Sequence, residues 1–193
     1  MTALCSAIRQ TTANTLAYAP CFSPWRRLVS TDDAIPIEPA TVADIDAIAD
    51  CWVALAADQQ QHGSRLQAEP NRTPATETIA RHVVTDGVYV ARENGICGFV
   101  MFHVDAGTYS QAEPTGTITT LYVRPPARNE GLGTRLLAAA EQALADRGAA
   151  TVSLEVLTAN EAAREFYDRR GYDPHRIELR KRIENDRHSK DDS

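Results

Sequence analysis

The chain has 193 residues, enough for one domain with a real core. Its 43% hydrophobic and 24% charged content is that of a soluble globular protein, and no run of about 18 apolar residues is present to span a membrane. A net charge of −6 argues against binding nucleic acid through the overall field, because phosphate contacts need clustered Lys and Arg.

Residues 1–31 hold three arginines and no Asp or Glu, and are rich in Ser, Thr and Ala. That composition superficially matches an organellar transit peptide, but the compact apolar core of a secretory signal is missing. The favoured expectation is an N-terminal extension over 1–34, disordered or processed. Regular patterning starts at Ile35. Ile35-Pro-Ile-Glu-Pro39 suits an edge strand, since proline cannot donate to a ladder. Thr41 or Asp44 is placed to cap a helix in which Ile45, Ile48, Ala49, Trp52, Leu55 and Ala56 recur at helical spacing. Gln59 to Pro74 is polar, with Gly63, Pro70 and Pro74, and reads as a loop. A second helix is predicted from Ala75 to about Val84, with Ile79 and Val83 on one face.

Strands follow. Val88–Arg92 and Ile96–Val104 flank Glu93-Asn94-Gly95, a hairpin signal. A polar loop with Gly107, Pro114 and Gly116 leads to a β-rich run, Thr117–Val123. A helix is predicted from Leu132 to about Arg147, with Leu136, Leu137, Ala140 and Leu144 on one stripe and Gly148 ending it. Val152–Leu157 is a strong strand. Residues 160–170 are helical and Gly171 stops them. Ile177–Ile183 alternates as a last strand, with Arg180-Lys181-Arg182 as its solvated end, and 184–193 form a polar tail. The segment from Ile118 to Leu157 is a strand–helix–strand crossover, which brings its two strands together in parallel. The fold class is α/β (α+β): a mixed, mostly antiparallel sheet with helices on both faces of a domain over 35–183.

Chemistry concentrates between the crossover strand and its helix, in VRPPARNEGLGTRLL (123–137). The first N–H groups of a helix have no internal partner and its N-terminus is positive, so glycines there favour an anion. A P-loop needs a lysine after its second glycine, and none is present. A dinucleotide fingerprint needs a third glycine, which Leu136 replaces. Arg128-x-x-Gly131-x-Gly133 remains. The cysteines Cys5, Cys21, Cys51 and Cys97 show neither CxxC nor Cys/His ligand spacing. No metal site is expected, and the cysteines read as free thiols in a reducing compartment, the cytoplasm.

Arg-x-x-Gly-x-Gly after a strand and before a helix resembles the coenzyme A signature of the GNAT superfamily of N-acetyltransferases. Upstream, Ile118-Thr-Thr-Leu-Tyr-Val-Arg-Pro125 resembles that family's fourth strand and the turn after it. Downstream, Leu154 to Tyr172 resembles its fifth strand, an Asn, a short helix bearing a Tyr, and a closing Gly-aromatic pair. The likeness covers roughly residues 35–183.

The resemblance implies a parallel pair of fourth and fifth strands, splayed at a cofactor cleft. It implies acetyl-CoA as co-substrate, with its pyrophosphate on the backbone of Arg128, Asn129, Glu130, Gly131, Leu132, Gly133 and Thr134. The pantetheine arm would lie along Leu121, Tyr122 and Val123, with the Val123 N–H aimed at the acetyl oxygen. Asn160 matches the Asn that contacts this arm, though Thr158-Ala-Asn-Glu161 also fits a capping box and Asn160 a plain N-cap. Tyr167 matches the tyrosine beside the cofactor sulfur, where a phenol can protonate the departing thiolate.

The implied reaction is direct acetyl transfer to a primary amine of a small molecule, peptide or protein. The general base does not carry over. Many relatives place an acid on the fourth strand where Thr119 and Thr120 stand here, and threonine is no base at neutral pH. Glu155, His103 or a water chain are the remaining candidates. In this family acceptor specificity comes largely from the first two helices and their connection, here with His62, Ser64 and Arg65. The expected partner is the amine acceptor, with no nucleic acid and no membrane; a homodimer is compatible with this reading. The alternative is a non-catalytic acyl-CoA-binding regulatory module of the same fold.

Overall fold

Prolines at 36 and 39 leave the first apolar run room for only a short strand. In the computed structural model, which describes residues 34–105 and 113–181, β1 spans Ile37–Pro39 at the sheet edge. The N-terminal segment 1–33, Gly107, Arg182, Ile183 and the tail 184–193 lie outside the described residues. A 3-10 turn at Val42–Asp44 enters helix α1 (Ile45–Gln60). Asp44 fixes this entrance: its carboxylate accepts the Thr41 amide and hydroxyl, both at 2.8 Å, and Arg92 Nη2 at 2.9 Å.

Helix α2 (Arg72–Val84) begins ahead of the predicted Ala75. Pro74 sits in its first turn, where a missing N–H breaks no helix bond. Strands β2 (Val88–Arg92) and β3 (Ile96–Val104) form the predicted hairpin; Asn94 and Gly95 take positive φ values of 54° and 125° at its tip. Strand β4 (Thr115–Val123), helix α3 (Leu132–Asp146), strand β5 (Thr151–Leu154) and helix α4 (Glu161–Asp168) complete the described elements.

The sheet order is β1-β2-β3-β4-β5, antiparallel throughout except for the parallel β4–β5 pair. Side chains alternate across β3 and feed two cores. Phe99 and Met101 join Ile48, Cys51 and Ile79 of α1 and α2. Val100 and Phe102 join Leu136, Leu137 and Leu144 of α3 on the other face.

Two irregularities shape the middle of β4. The β3–β4 register shifts between Met101 and Phe102, whose partners are Thr120 and Ile118, so Thr119 is the extra residue of a bulge. The β4–β5 pairing runs from Thr115–Thr151 to Ile118–Leu154 and stops there. The strands part where the bulge sits, and β5 is accordingly shorter than the predicted Val152–Leu157.

The predicted last strand does not form over its described part. Residues 173–181 have no regular structure, and Ile177 and Leu179 are 82% and 89% exposed. Arg180 instead pairs with Glu178 at 2.9 Å, both on one side of an extended chain. Alternation favours extended backbone, but a strand also needs a partner edge, and β5 offers only a four-residue one.

Candidate functional site

The loop between β4 and α3 is shaped by its prolines and glycines. Pro125–Ala127 make a 3-10 turn, Asn129 has φ 67°, and Gly131 caps α3 with φ 78°, a left-handed conformation that a β-carbon disfavours. The first bond into the helix is Arg135 N–H to Gly131 O at 3.1 Å. Among the described residues, none of the amides of 129–134 donates to a backbone or side-chain acceptor. A run of free amides at a helix N-terminus is an anion cradle. A β-carbon added at Gly133 would sit 3.6 Å from the Phe166 ring, an ordinary contact, so packing within the protein does not demand glycine there.

Arg128 is placed differently from the other loop residues. Its amide donates to Pro125 O at 3.2 Å, so the free run starts at Asn129. Its guanidinium donates to Val123 O at 2.9 Å and to Asp58 of α1 at 2.8 Å, and lies 5.7 Å from the Tyr122 ring centre. The side chain ties the loop to α1.

Beyond Ile118, β4 has lost β5 as a neighbour. Arg124 donates its amide to Cys97 O of β3 at 2.8 Å. By the alternation of an antiparallel ladder, Tyr122 also turns its backbone to β3, while Leu121 and Val123 turn theirs to the side β5 has left. The acceptance of Arg128 Nε by Val123 O agrees with that direction. Tyr122 contributes a buried side chain beside Phe99 rather than open backbone.

Asn160 is the N-cap of α4: its Oδ1 accepts the Ala163 amide at 3.1 Å. The helix opens at Glu161, so Thr158 is outside the cap, and its carbonyl takes Arg164 Nη1. The Asn160 side-chain N–H groups have no partner among the described residues. Tyr167, about two helical turns further, packs edge-on against Phe166 and Tyr172 with ring centres 5.1 and 5.7 Å away. Burial raises its phenol to about 12, against a smaller lowering by Arg170, so the group keeps its proton at neutral pH.

Arg170 escaped the sequence reading. It stacks on Phe166 at 3.6 Å, donates to Phe166 O at 2.6 Å and reaches the Thr134 hydroxyl at the head of α3. Its only sequence signal is a basic pair, Arg169-Arg170, closing the helix that bears Tyr167. Arg170 also lines a cavity of about 360 Å3 with Glu141 and Tyr172, whose side chains hydrogen-bond at 2.7 Å.

The candidates for a base lie about the strand separation. Thr119 donates its hydroxyl to Met101 O at 3.1 Å. Glu155 is exposed and is the first residue beyond the β4–β5 pairing. His103 Nε2 meets Asp105 at 3.2 Å, and Asp105 accepts Thr117 Oγ1 at 2.9 Å, itself 3.0 Å from Ser153 Oγ. His103 Nδ1 is buried without a partner, and the His82 ring lies 5.6 Å away. Of the connecting segment, Ser64 accepts the Leu66 amide at 3.3 Å and Arg65 is exposed. Cys51 is buried and burial raises its thiol, which makes it an inert core residue.

Comparison with known proteins agrees with this architecture. A GCN5-related N-acetyltransferase from Ralstonia eutropha JMP134 superimposes with a TM-score of 0.63 at 22% identity, over 77% of this chain and 97% of that one. A Bacillus halodurans C-125 protein described as a transcriptional regulator gives 0.63 at 17% identity, over 78% and 100%. The BH1408 protein from Bacillus halodurans, as a tetramutant, gives 0.65 at 20%, over 77% and 99%. No curated protein matches the chain. The model of the acetyltransferase (GNAT) family matches residues 46–172, from α1 through the Gly-aromatic pair after α4. The chain belongs to the acetyltransferase (GNAT) family.

Proposed function

We propose that the protein transfers the acetyl group of acetyl-CoA directly to a primary amine. One observation carries the reading: the free amides of 129–134 stand at the end of the β4 edge that β5 has left, so a phosphate cradle and an open strand edge lie in one line. The cradle holds the pyrophosphate, with the Arg170 guanidinium adding positive charge beside Thr134. Leu121 and Val123 supply strand-like hydrogen bonds to the amides of the pantetheine arm, and the Asn160 side-chain N–H groups donate to it. The Val123 N–H stabilises charge building on the acetyl oxygen.

Tyr167 then gives its proton to the departing sulfur; its raised pKa keeps that proton available. Glu155 takes the proton of the attacking amine. It is an exposed carboxylate where the strands part, whereas His103 is engaged with Asp105. Glu155→Gln is expected to lower kcat/KM about 100-fold, and His103→Ala to change it less than threefold. The reverse ranking gives the role to His103.

A second reading, a non-catalytic acyl-CoA-binding module, is favoured by Thr119 and Thr120 at the positions of the usual strand acid and by the engaged Thr119 hydroxyl. Thiol release from acetyl-CoA with a panel of primary amines decides. Acceptor-dependent release is expected; tight acetyl-CoA binding with no release from any amine turns the assignment to the module.

A further inference from the structure

On the α1 and α2 side of the sheet a cavity of about 210 Å3 opens above β3. Its floor is Met101, whose ladder partner is Thr120, so it adjoins the bulge where the β4–β5 pairing has ended. Trp52 of α1 and Ala75 of α2 line it, and Leu66 of the connecting segment, 41% exposed, lines it as well. No lining residue is charged. The donors of its two polar side chains are engaged: Thr78 Oγ1 donates to Pro74 O at 2.9 Å and Asn71 Nδ2 to Gln67 O at 2.7 Å. Of the nearby cations, Arg72 is paired with Asp50 at 2.7 Å, Arg81 donates to Thr78 Oγ1 at 2.9 Å, and Arg65, beside Leu66, is exposed and not part of the lining.

The lining carries no charge of its own to pair with a charged substituent, and stranding one there without a partner is unfavourable. Its volume is below the roughly 300–1,000 Å3 of pockets that enclose a whole small-molecule ligand, and suits a single side chain. We propose that the acceptor amine bears an apolar substituent next to the reactive nitrogen, as in the α-amine of a leucine, methionine or phenylalanine residue, and that this substituent fills the cavity. The amine nitrogen then lies toward the Thr119–Thr120 bulge, on the opposite face of the sheet from α3. The inference rests on the acetyltransferase reading and adds the chemical class of acceptor to it.

The test is acetyl-CoA-dependent acylation of a set of amino-acid amides: leucine, methionine and phenylalanine against glycine, glutamate and arginine. The apolar set is expected to exceed the glycine amide by at least about tenfold in kcat/KM, and the charged amides by more. Two variants read out the cavity itself as a ratio within one protein, independent of the amount folded. Trp52→Ala lowers the leucine-to-glycine ratio at least about threefold. Leu66→Asp, at an exposed position, lowers the same ratio and raises the relative rate of the arginine amide. Equal rates across the set, a preference for a charged amide, or ratios unmoved by both variants overturn the inference and leave the acetyltransferase reading standing. Acetyl-CoA binding without acylation of any amide overturns both.

Discussion

The two faces of β4 are open to ligands by different means. Toward α3, the surface is main chain: free amides at 129–134 and the edge of Leu121 and Val123 that has no strand partner. Toward α1 and α2, it is side chain: Trp52, Ala75, Met101 and Leu66, gathered from two helices, a strand and a connecting segment. Main chain recognises a group that is the same in every turnover, and its demands on sequence are local: glycine where φ is positive, proline where a ladder must end. Side chains recognise the group that distinguishes one substrate from another. Their demands are spread along the chain and leave no motif.

The sharpest way to break this division is Gly133→Glu. The position accepts a β-carbon at ordinary contact distance, so the protein is expected to fold, while a carboxylate there opposes any anion on the cradle. Calorimetry is expected to show acetyl-CoA affinity falling more than about 100-fold, with the ranking of acceptor amides unchanged in residual activity. Unchanged affinity would remove the anion cradle. Next comes Tyr167→Phe, expected to lower kcat about 100-fold with the acetyl-CoA dissociation constant within twofold. The same variant carries a pH signature. The folded phenol sits near 12 and an ordinary tyrosine near 10. Its contribution to stability is therefore complete below about pH 10 and is lost as pH rises toward 12. Melting curves of Tyr167→Phe are expected to fall less steeply than wild type across that window.

Asp44→Ala is the smallest effect and sharpens the comparison from the other side. Asp44 anchors the start of α1, away from the cradle. It is 7% exposed; burial opposes its charge, but the Thr41 amide and hydroxyl and Arg92 outweigh that and hold its carboxyl below the ordinary value. Removing it is expected to cost about 1–3 kcal/mol in denaturant unfolding and to leave acetyl-CoA affinity unchanged. Because the folded pKa is depressed, this stability is present above the ordinary carboxylate range and vanishes as pH falls through the folded value. Wild type and variant should converge in acid.

The same division explains what was legible in the sequence. Hydrophobic period, the Asn94-Gly95 turn and the strand–helix–strand crossover specified the mixed sheet and its parallel pair, because each is a local pattern. The glycines of the α3 loop stood out for the same reason. Ile177–Ile183 misled, because alternation specifies side-chain direction but cannot supply an edge to pair with. Arg170 and the cavity were invisible, since both arise only when α4 meets α3 and when α1 and α2 close over Met101. The parting of β4 and β5 was expected from the family resemblance alone; the residue that makes the bulge, Thr119, has no marker of its own.

Arg128 joins the two faces. One guanidinium touches the carbonyl of Val123 on the edge β5 has left and, through Asp58, the helix that carries Trp52. Free-energy linkage is reciprocal. If loading the cradle alters the Arg128–Asp58 pair, acetyl-CoA and acceptor bind as coupled ligands, each changing the affinity of the other by the same factor. Kinetically the signature is an order of addition, with acceptor affinity set by whether the cofactor is already in place. Asp58→Asn is expected to weaken that coupling while leaving the amides of 129–134 and the cavity lining in place.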